Sequence, residues 1–264
     1  MMVERTAVKS RRRADAVVVQ IATDIITGQY PEGSVLPTEQ DFGERFDVSR
    51  TVVREAVARL ARCGLIKVRH GLGSVVLERA RWHALDPELL QIRTEAGLIE
   101  DLLPDLFDIR RMVELQVAER AARNRTAGDL DILAAIMVTQ RQSLGDPEAY
   151  NAADIAFHDA LIGASGNHLL REVIGPISQV WRIGSVVTMR RDPEVVTYSM
   201  QGHEEIFAAM VAGDPATARE AMNRHLDRFE QRLANVLLTS TMPRSLEESE
   251  QQDRIVTLVG EQER

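Results

Sequence analysis

Residues 36–60 read Leu36-Pro37-Thr38-Glu39-Gln40-Asp41-Phe42-Gly43-Glu44-Arg45-Phe46-Asp47-Val48-Ser49-Arg50-Thr51-Val52-Val53-Arg54-Glu55-Ala56-Val57-Ala58-Arg59-Leu60. This stretch predicts two short helices joined by a tight turn. Thr38 with Asp41 three residues on is a helix-start signal, in which a side-chain oxygen and an acid satisfy free backbone N–H groups. The first helix is expected to end near Phe46. Ser49 is expected to cap the second, which sets Thr51, Arg54 and Arg59 among Val52, Val53, Ala56, Val57 and Leu60. Arg50, Thr51 and Arg54 fall in its first turn and a half, the part of a recognition helix that reaches base edges in a major groove. Arginine can fork onto guanine, and threonine can touch a phosphate or a thymine methyl. The same pattern also fits an amphipathic helix with its arginines in water.

The next residues favour the DNA reading. Leu65-Ile66-Lys67-Val68-Arg69 and Ser74-Val75-Val76-Leu77 are β-forming runs separated by His70-Gly71-Leu72-Gly73, a hairpin signal. A hairpin directly after such a helix is a wing. Its tip of Arg69, His70 and Gly71 suits a narrow minor groove.

Residues 25–76 resemble the winged-helix domain of the GntR family of bacterial regulators. The matching pieces are Gly28-Gln29-Tyr30-Pro31-Glu32-Gly33, Leu36-Pro37-Thr38-Glu39, Val48 to Ala56, and Gly71-Leu72-Gly73-Ser74. The resemblance implies operator reading by Arg50, Thr51 and Arg54 and minor-groove probing by His70 and Gly71. Gln40 stands where many members carry arginine, so that contact is expected to differ here. The full expected DNA-facing set is Thr38, Gln40, Ser49, Arg50, Thr51, Arg54, Arg59, Arg69, His70 and Gly71.

Composition limits the remaining classes. With 264 residues the chain has room for two ordinary domains, and its net charge is −8. Residues 1–78 hold twelve Lys/Arg against ten Asp/Glu; the rest hold 20 against 30. A basic head can neutralise phosphates while an acidic body discourages loose wrapping. No run of eighteen apolar residues is present, which argues against a membrane span, and the basic N-terminus lacks the apolar segment of a secretion signal. A lone Cys63 excludes internal disulfides and fits a small buried residue in a cytoplasmic protein.

The expected architecture is mainly α. Residues 1–12 read as a disordered basic tail, and 13–78 as a winged helix-turn-helix of three helices and a β-hairpin. Residues 79–97 read as a connector in which Asp86-Pro87 opens a short helix. Residues 98–240 read as an all-α bundle of six or seven helices, and 241–264, rich in Glu and Gln, as a flexible tail.

The bundle carries a second constellation. Asp154 and His158, four apart, share a helix face. His203 precedes Ile206 and Phe207, and His225 lies in the stripe Ala218, Ala221, Met222, Phe229. Three inward imidazoles and a carboxylate are costly to bury alone, and a divalent metal would compensate. The donor set suits zinc first, with nickel and manganese as alternatives. Hydrogen-bonded core histidines fit the spacing equally well.

Residues 97–238 are similar to the FCD effector-binding domain of the FadR subfamily of GntR regulators. The similarity lies in Arg110-Arg111-Met112-Val113-Glu114, Asp154-Ile155-Ala156-Phe157-His158, Ser165-Gly166-Asn167, His203-Glu204-Glu205-Ile206 and Gly213-Asp214 to His225-Leu226. It implies metal binding by Asp154, His158, His203 and His225, and effector contact by Arg110 and Asn167. A metal beside an arginine would clamp a small carboxylate: a sugar acid, a hydroxy acid or a dicarboxylate. The expectation is a cytoplasmic homodimer, not an enzyme, that binds operator duplex DNA and represses a catabolic operon until that acid releases it. The rivals are a metal-dependent enzyme with a DNA-binding head and a constitutive DNA-binding protein with a structural metal.

Overall fold

The computed structural model describes residues 2–69 and 71–240. His70 and the expected flexible tail at 241–264 lie outside the described residues. Helix α1 (Met2–Ile26) takes in the stretch expected to be a disordered tail. Residues 2–12 contain no Gly or Pro and include three Arg with Glu4, Ala7 and Lys9, so nothing in them stops the helix that the following residues nucleate. Its buried face is Ala14, Val17, Val18, Ile21, Ala22 and Ile25, the spacing of one helical stripe.

Helix α2 (Glu39–Phe46) opens with a reciprocal cap: Thr38 Oγ1 accepts from the Asp41 N–H at 3.2 Å, and Asp41 Oδ2 accepts from the Thr38 N–H at 2.8 Å. Helix α3 (Arg50–Arg62) begins at Ser49, whose side chain makes no capping hydrogen bond. Its apolar face, Val52, Val53, Ala56, Val57 and Leu60, packs with that of α1 into one core. Strands β1 (Ile66–Arg69) and β2 (Gly73–Val76) pair antiparallel with Ile66 opposite Val76 and Arg69 opposite Gly73. Gly71 turns between them at φ +77°, a conformation that side chains resist.

Residues 79–97 are more than a tether. Asp86 Oδ1 accepts from the Glu88 and Leu89 N–H groups and caps α4 (Pro87–Glu95). Leu89 and Ile92 of this helix are buried in the N-terminal core, whereas Leu90 is buried in the C-terminal one. A helix with apolar residues on two faces is thus shared by both units, and it packs against α8.

The C-terminal unit comprises α5 (Leu103–Asn124), α6 (Ala127–Gln142), α7 (Pro147–Ala164), α8 (Leu169–Arg191), α9 (Glu194–Ala212) and α10 (Pro215–Ser240). Among the described residues no helix is long and apolar enough to cross a membrane. Leu133, Phe157, Leu161, Ile177 and Ile206 are fully buried at its centre. Each such side chain contributes about 1.5–3 kcal/mol relative to exposure. Helices α5, α7, α9 and α10 bring Arg110, Asp154 and His158, His203, and His225, respectively, toward a common interior.

Candidate functional sites

The DNA-facing surface is built on α3 and the wing. Arg50, Thr51 and Arg54 are exposed along the first turns of α3, because the buried residues Val52, Val53 and Ala56 occupy the opposite side. Arg50 Nη2 donates to Gln40 Oε1 at 2.9 Å, and Gln40 Nε2 donates in turn to Glu44 Oε1 at 3.2 Å. Gln40 therefore meets the leading arginine of the recognition helix. Arg69 is exposed at the end of β1, and Lys67, which the sequence reading did not single out, is exposed beside it. The Thr38 hydroxyl is engaged by Asp41.

Arg59 does not belong to this surface. Its guanidinium pairs with Asp15 of α1 at 2.7 Å and with Glu88 of α4, and its side chain is only 18% exposed. One turn before Cys63 and three residues after Ala56, it falls on the inward side of α3, where it ties the recognition helix to α1 and α4. Cys63 is itself buried, and burial, with Asp86 and Glu88 beside it, pushes its thiol up to about 12.

The second site lies inside the helical unit. His158, His203 and His225 each offer a ring nitrogen within 4.8 Å of the others. The ring centres are 4.7–5.4 Å apart. Asp154 Oδ1 lies 3.5 Å from His203 Nε2 and accepts from Ser199 Oγ at 2.9 Å. Buried Gln140 meets His203 Nδ1 at 2.9 Å and so fixes that ring's orientation. Gly202 admits His225: a Cβ at this position would lie 2.6 Å from His225 Nδ1. Among the described residues, the Nε2 atoms of His158 and His203 are buried without a hydrogen-bond partner. Such atoms are costly inside a protein unless something binds them.

Electrostatics divide the three imidazoles. Burial, then the neighbouring His158, holds His203 well below the usual histidine range; burial and His203 do the same to His225. Burial also opposes charge on His158, but Glu114 Oε2 at 2.7 Å outweighs it and raises this histidine. Burial would raise the Glu114 carboxyl, yet Arg110 and His158 beside it hold it well below the carboxylate range.

Arg110 is buried, with Nε donating to Glu114 Oε1 at 2.6 Å and its guanidinium against both the Trp181 and Phe229 rings. Two pockets, enclosing about 540 and 510 Å³ when the solvent-open space at their mouths is counted, meet at this residue. Asp154 lines both; His225 lines the first and His158 the second. Asn167 lines neither. Its Oδ1 accepts from the Leu169 N–H at the start of α8, so the residue caps a helix instead of facing the site. His168 is exposed at the same helix start, and Glu204 and Glu205 point away from His203 to pair with Arg141 and Arg224.

The sequence reading names the three histidines, Asp154 and Arg110, and does not name Gln140, Ser199 or Gly202. Glu114 had a signal, four residues after Arg110 and therefore on the same face. Gln140 had none, since its partner is 63 residues away.

Known proteins match this arrangement. Residues 13–76 match the model of bacterial regulatory proteins of the gntR family, and residues 105–228 match the FCD domain. The chain is similar to the Uxu operon transcriptional regulator of Escherichia coli K12, 30% identical over 87% of this chain and 90% of the relative. It is similar to LutR of Bacillus subtilis 168, an HTH-type transcriptional regulator, at 32% over 78% of this chain and 94% of the relative. The galactonate operon transcriptional repressor of E. coli K12 is 29% identical over 79% and 91%. The solved structure of Lar, which controls the Listeria monocytogenes agr system, shares the fold with TM-score 0.58 at 18% identity, covering 84% of this chain and 96% of that one. The exposed reading helix and wing, the two family matches and relatives at 30% identity or more along nearly their whole length together place this chain in the GntR family of bacterial DNA-binding transcriptional regulators, in its FadR-like branch with an FCD domain.

Proposed function

We propose that this regulator represses a carbohydrate-acid or organic-acid catabolic operon and is released from an inverted-repeat operator by a small carboxylate. The acid binds at a divalent metal held by Asp154, His158, His203 and His225, zinc by preference and nickel or manganese otherwise. The observation that carries this reading is the packing of three buried imidazoles within 4.8 Å of one another, with unpartnered ring nitrogens, at the edge of cavities that also expose Arg110. The residues fit a metal: neutral imidazoles and one carboxylate are donors that a divalent cation would satisfy. Bound there, the metal would supply an electrophilic centre for a carboxylate and its neighbouring hydroxyl.

The chain's own residues do the rest. Gln140 holds His203 in one orientation, and Glu114 holds Arg110 by its Nε where Arg110 lines both cavities. Trp181 of α8 lines both cavities, and α8 packs on α4, which shares its apolar faces between the two units. An acid that draws α8 inward thereby acts on the helix beside the DNA-reading unit. Strong switching requires a preference of several kcal/mol for one state. Two chains on a two-fold axis would place two recognition helices in successive major grooves. The names of relatives support the ligand class: one represses a galactonate operon, and a putative one regulates an L-lactate dehydrogenase operon.

The test is operator binding, on duplexes selected from a random pool, by zinc-loaded protein with galactonate or L-lactate. An acid that weakens binding, loses that effect on chelation and regains it with zinc supports the reading. His203→Ala is expected to lose metal and response together; a retained response overturns the site. Consumption of the acid would support a metalloenzyme. Chelation that unfolds the bundle, with no acid altering DNA affinity, would support a structural metal.

A further inference from the structure

The larger cavity is lined by several charged side chains. Along α10, His225, Arg228 and Arg232 follow at intervals of three and four residues and all line it, as positions on one helix face must. Among its charged lining residues, three arginines face a single carboxylate, Asp154. Two of the arginines are satisfied within the protein. Arg110 is held by Glu114 at 2.6 Å; Arg232 is held by Asp192 and Glu194 and lies over the Tyr198 ring. Arg228 is different. Both of its Nη atoms reach the same Glu205 oxygen at 3.4 Å, the long limit of such a bond, while Arg224 takes the other oxygen at 2.7 Å. Its side chain is 37% exposed, and among the described lining residues it is the least committed of the three arginines.

We infer that Arg228 is the far-end anchor of the effector, and that the effector is therefore a diacid whose second carboxylate this guanidinium receives. The inference rests on the proposed metal and acid site. Position fixes the length. At about 1.5 Å of rise per residue, Arg228 stands about 4.5 Å along α10 from His225, and its side chain extends the reach further. An extended acid of about four to six carbons bridges that interval at ordinary bond lengths. Charge fixes the class. A carboxylate meeting a weakly paired guanidinium gains two charge-assisted hydrogen bonds, which a terminal hydroxyl cannot match. Ser185 on the same wall carries a hydroxyl that can meet a ligand hydroxyl, so hydroxylated diacids fit best.

Calorimetric titration of the zinc-loaded full chain tests this with matched pairs: galactarate against galactonate, and malate against 2-hydroxybutyrate. The expected result is at least one diacid binding tenfold or more tightly than its monoacid. Arg228→Gln removes that preference. Arg219→Gln, the same charge change on α10 outside the cavity, retains it. Equal binding of mono- and diacids by the unaltered protein, or a preference that survives Arg228→Gln, overturns the assignment of Arg228 while leaving the metal site standing. No binding of any of the four acids by protein that holds zinc overturns the assignment together with the site it rests on.

Discussion

Gly202→Ala tests whether the histidine cluster is set by backbone approach. Gly202 lies inside α9, where alanine would ordinarily stabilise a helix by about 0.5–1 kcal/mol through lower unfolded-state entropy and better propensity. Here the added Cβ would stand 2.6 Å from His225 Nδ1 and 3.1 Å from its Cβ and Cγ. No real packing tolerates the first distance, so the imidazole or the helix must move. The His225 ring is 5% exposed and packed 4.7 Å from that of His203, which leaves it little room to turn aside. Overpacking of this kind costs about 1–3 kcal/mol. Set against the propensity gain, the metal-free variant should lose up to about 2 kcal/mol in urea unfolding. The metal-loaded variant should lose more. A displaced ring no longer shares the ligand position, and zinc affinity measured by chelator competition should fall by about tenfold or more, as it does when a ligand's support is removed. Gly163→Ala is the control: this glycine lies in the last turn of α7 with nothing within 4 Å of its added Cβ. That change should stabilise the protein or leave it unaltered. A Gly202→Ala protein as stable as the Gly163→Ala one, with unchanged zinc affinity, would refute the reasoning.

Arg54→Ala should weaken DNA binding and flatten its salt dependence by about one counterion if the side chain meets a phosphate. Arg59→Ala should instead cost about 1 kcal/mol of stability through the lost pairs with Asp15 and Glu88 and leave the salt slope unchanged; a reduced slope would return Arg59 to the DNA surface. The metal-free protein should lose stability as pH falls below the ordinary histidine range. His203 and His225 stay neutral when folded but protonate when unfolded, so the unfolded state binds about two more protons there, or about 2.7 kcal/mol per pH unit. His158, raised by Glu114, contributes oppositely, with stability present below that range and lost above it; urea unfolding at pH 5 and 7 reads the balance, and equal stability would contradict it. Cys63, with its thiol at about 12, should resist iodoacetamide at pH 8 until the protein is denatured, and rapid labelling of native protein would contradict its burial.

Much of this molecule is legible in local sequence because the signals involved are local. The Thr38–Asp41 cap, the Asp86-Pro87 helix start, the hairpin at residues 66–76 and the inward stripe carrying each histidine depend on residues within one or two turns of each other. The histidines could be assigned to helix faces because helical period is a property of short segments. The boundary at residues 1–12 was misjudged since no breaker marks it: the sequence is polar, but polar helix formers prolong a helix already nucleated at Ala14. Asn167 carried a resemblance and no geometry, and its side chain turns back to cap α8.

The sequence by itself determined the two-part architecture, the reading helix and wing, and which side chains enter the bundle interior, because these follow from spacing, capping and turn chemistry. Only the tertiary structure decided what those side chains meet. Gln140 reaches His203 across 63 residues, Gly202 makes space for His225 on the next helix, and Arg59 turns to Asp15 and Glu88 instead of outward. Contacts between distant helices depend on how packed faces interlock, and no short window of sequence encodes that.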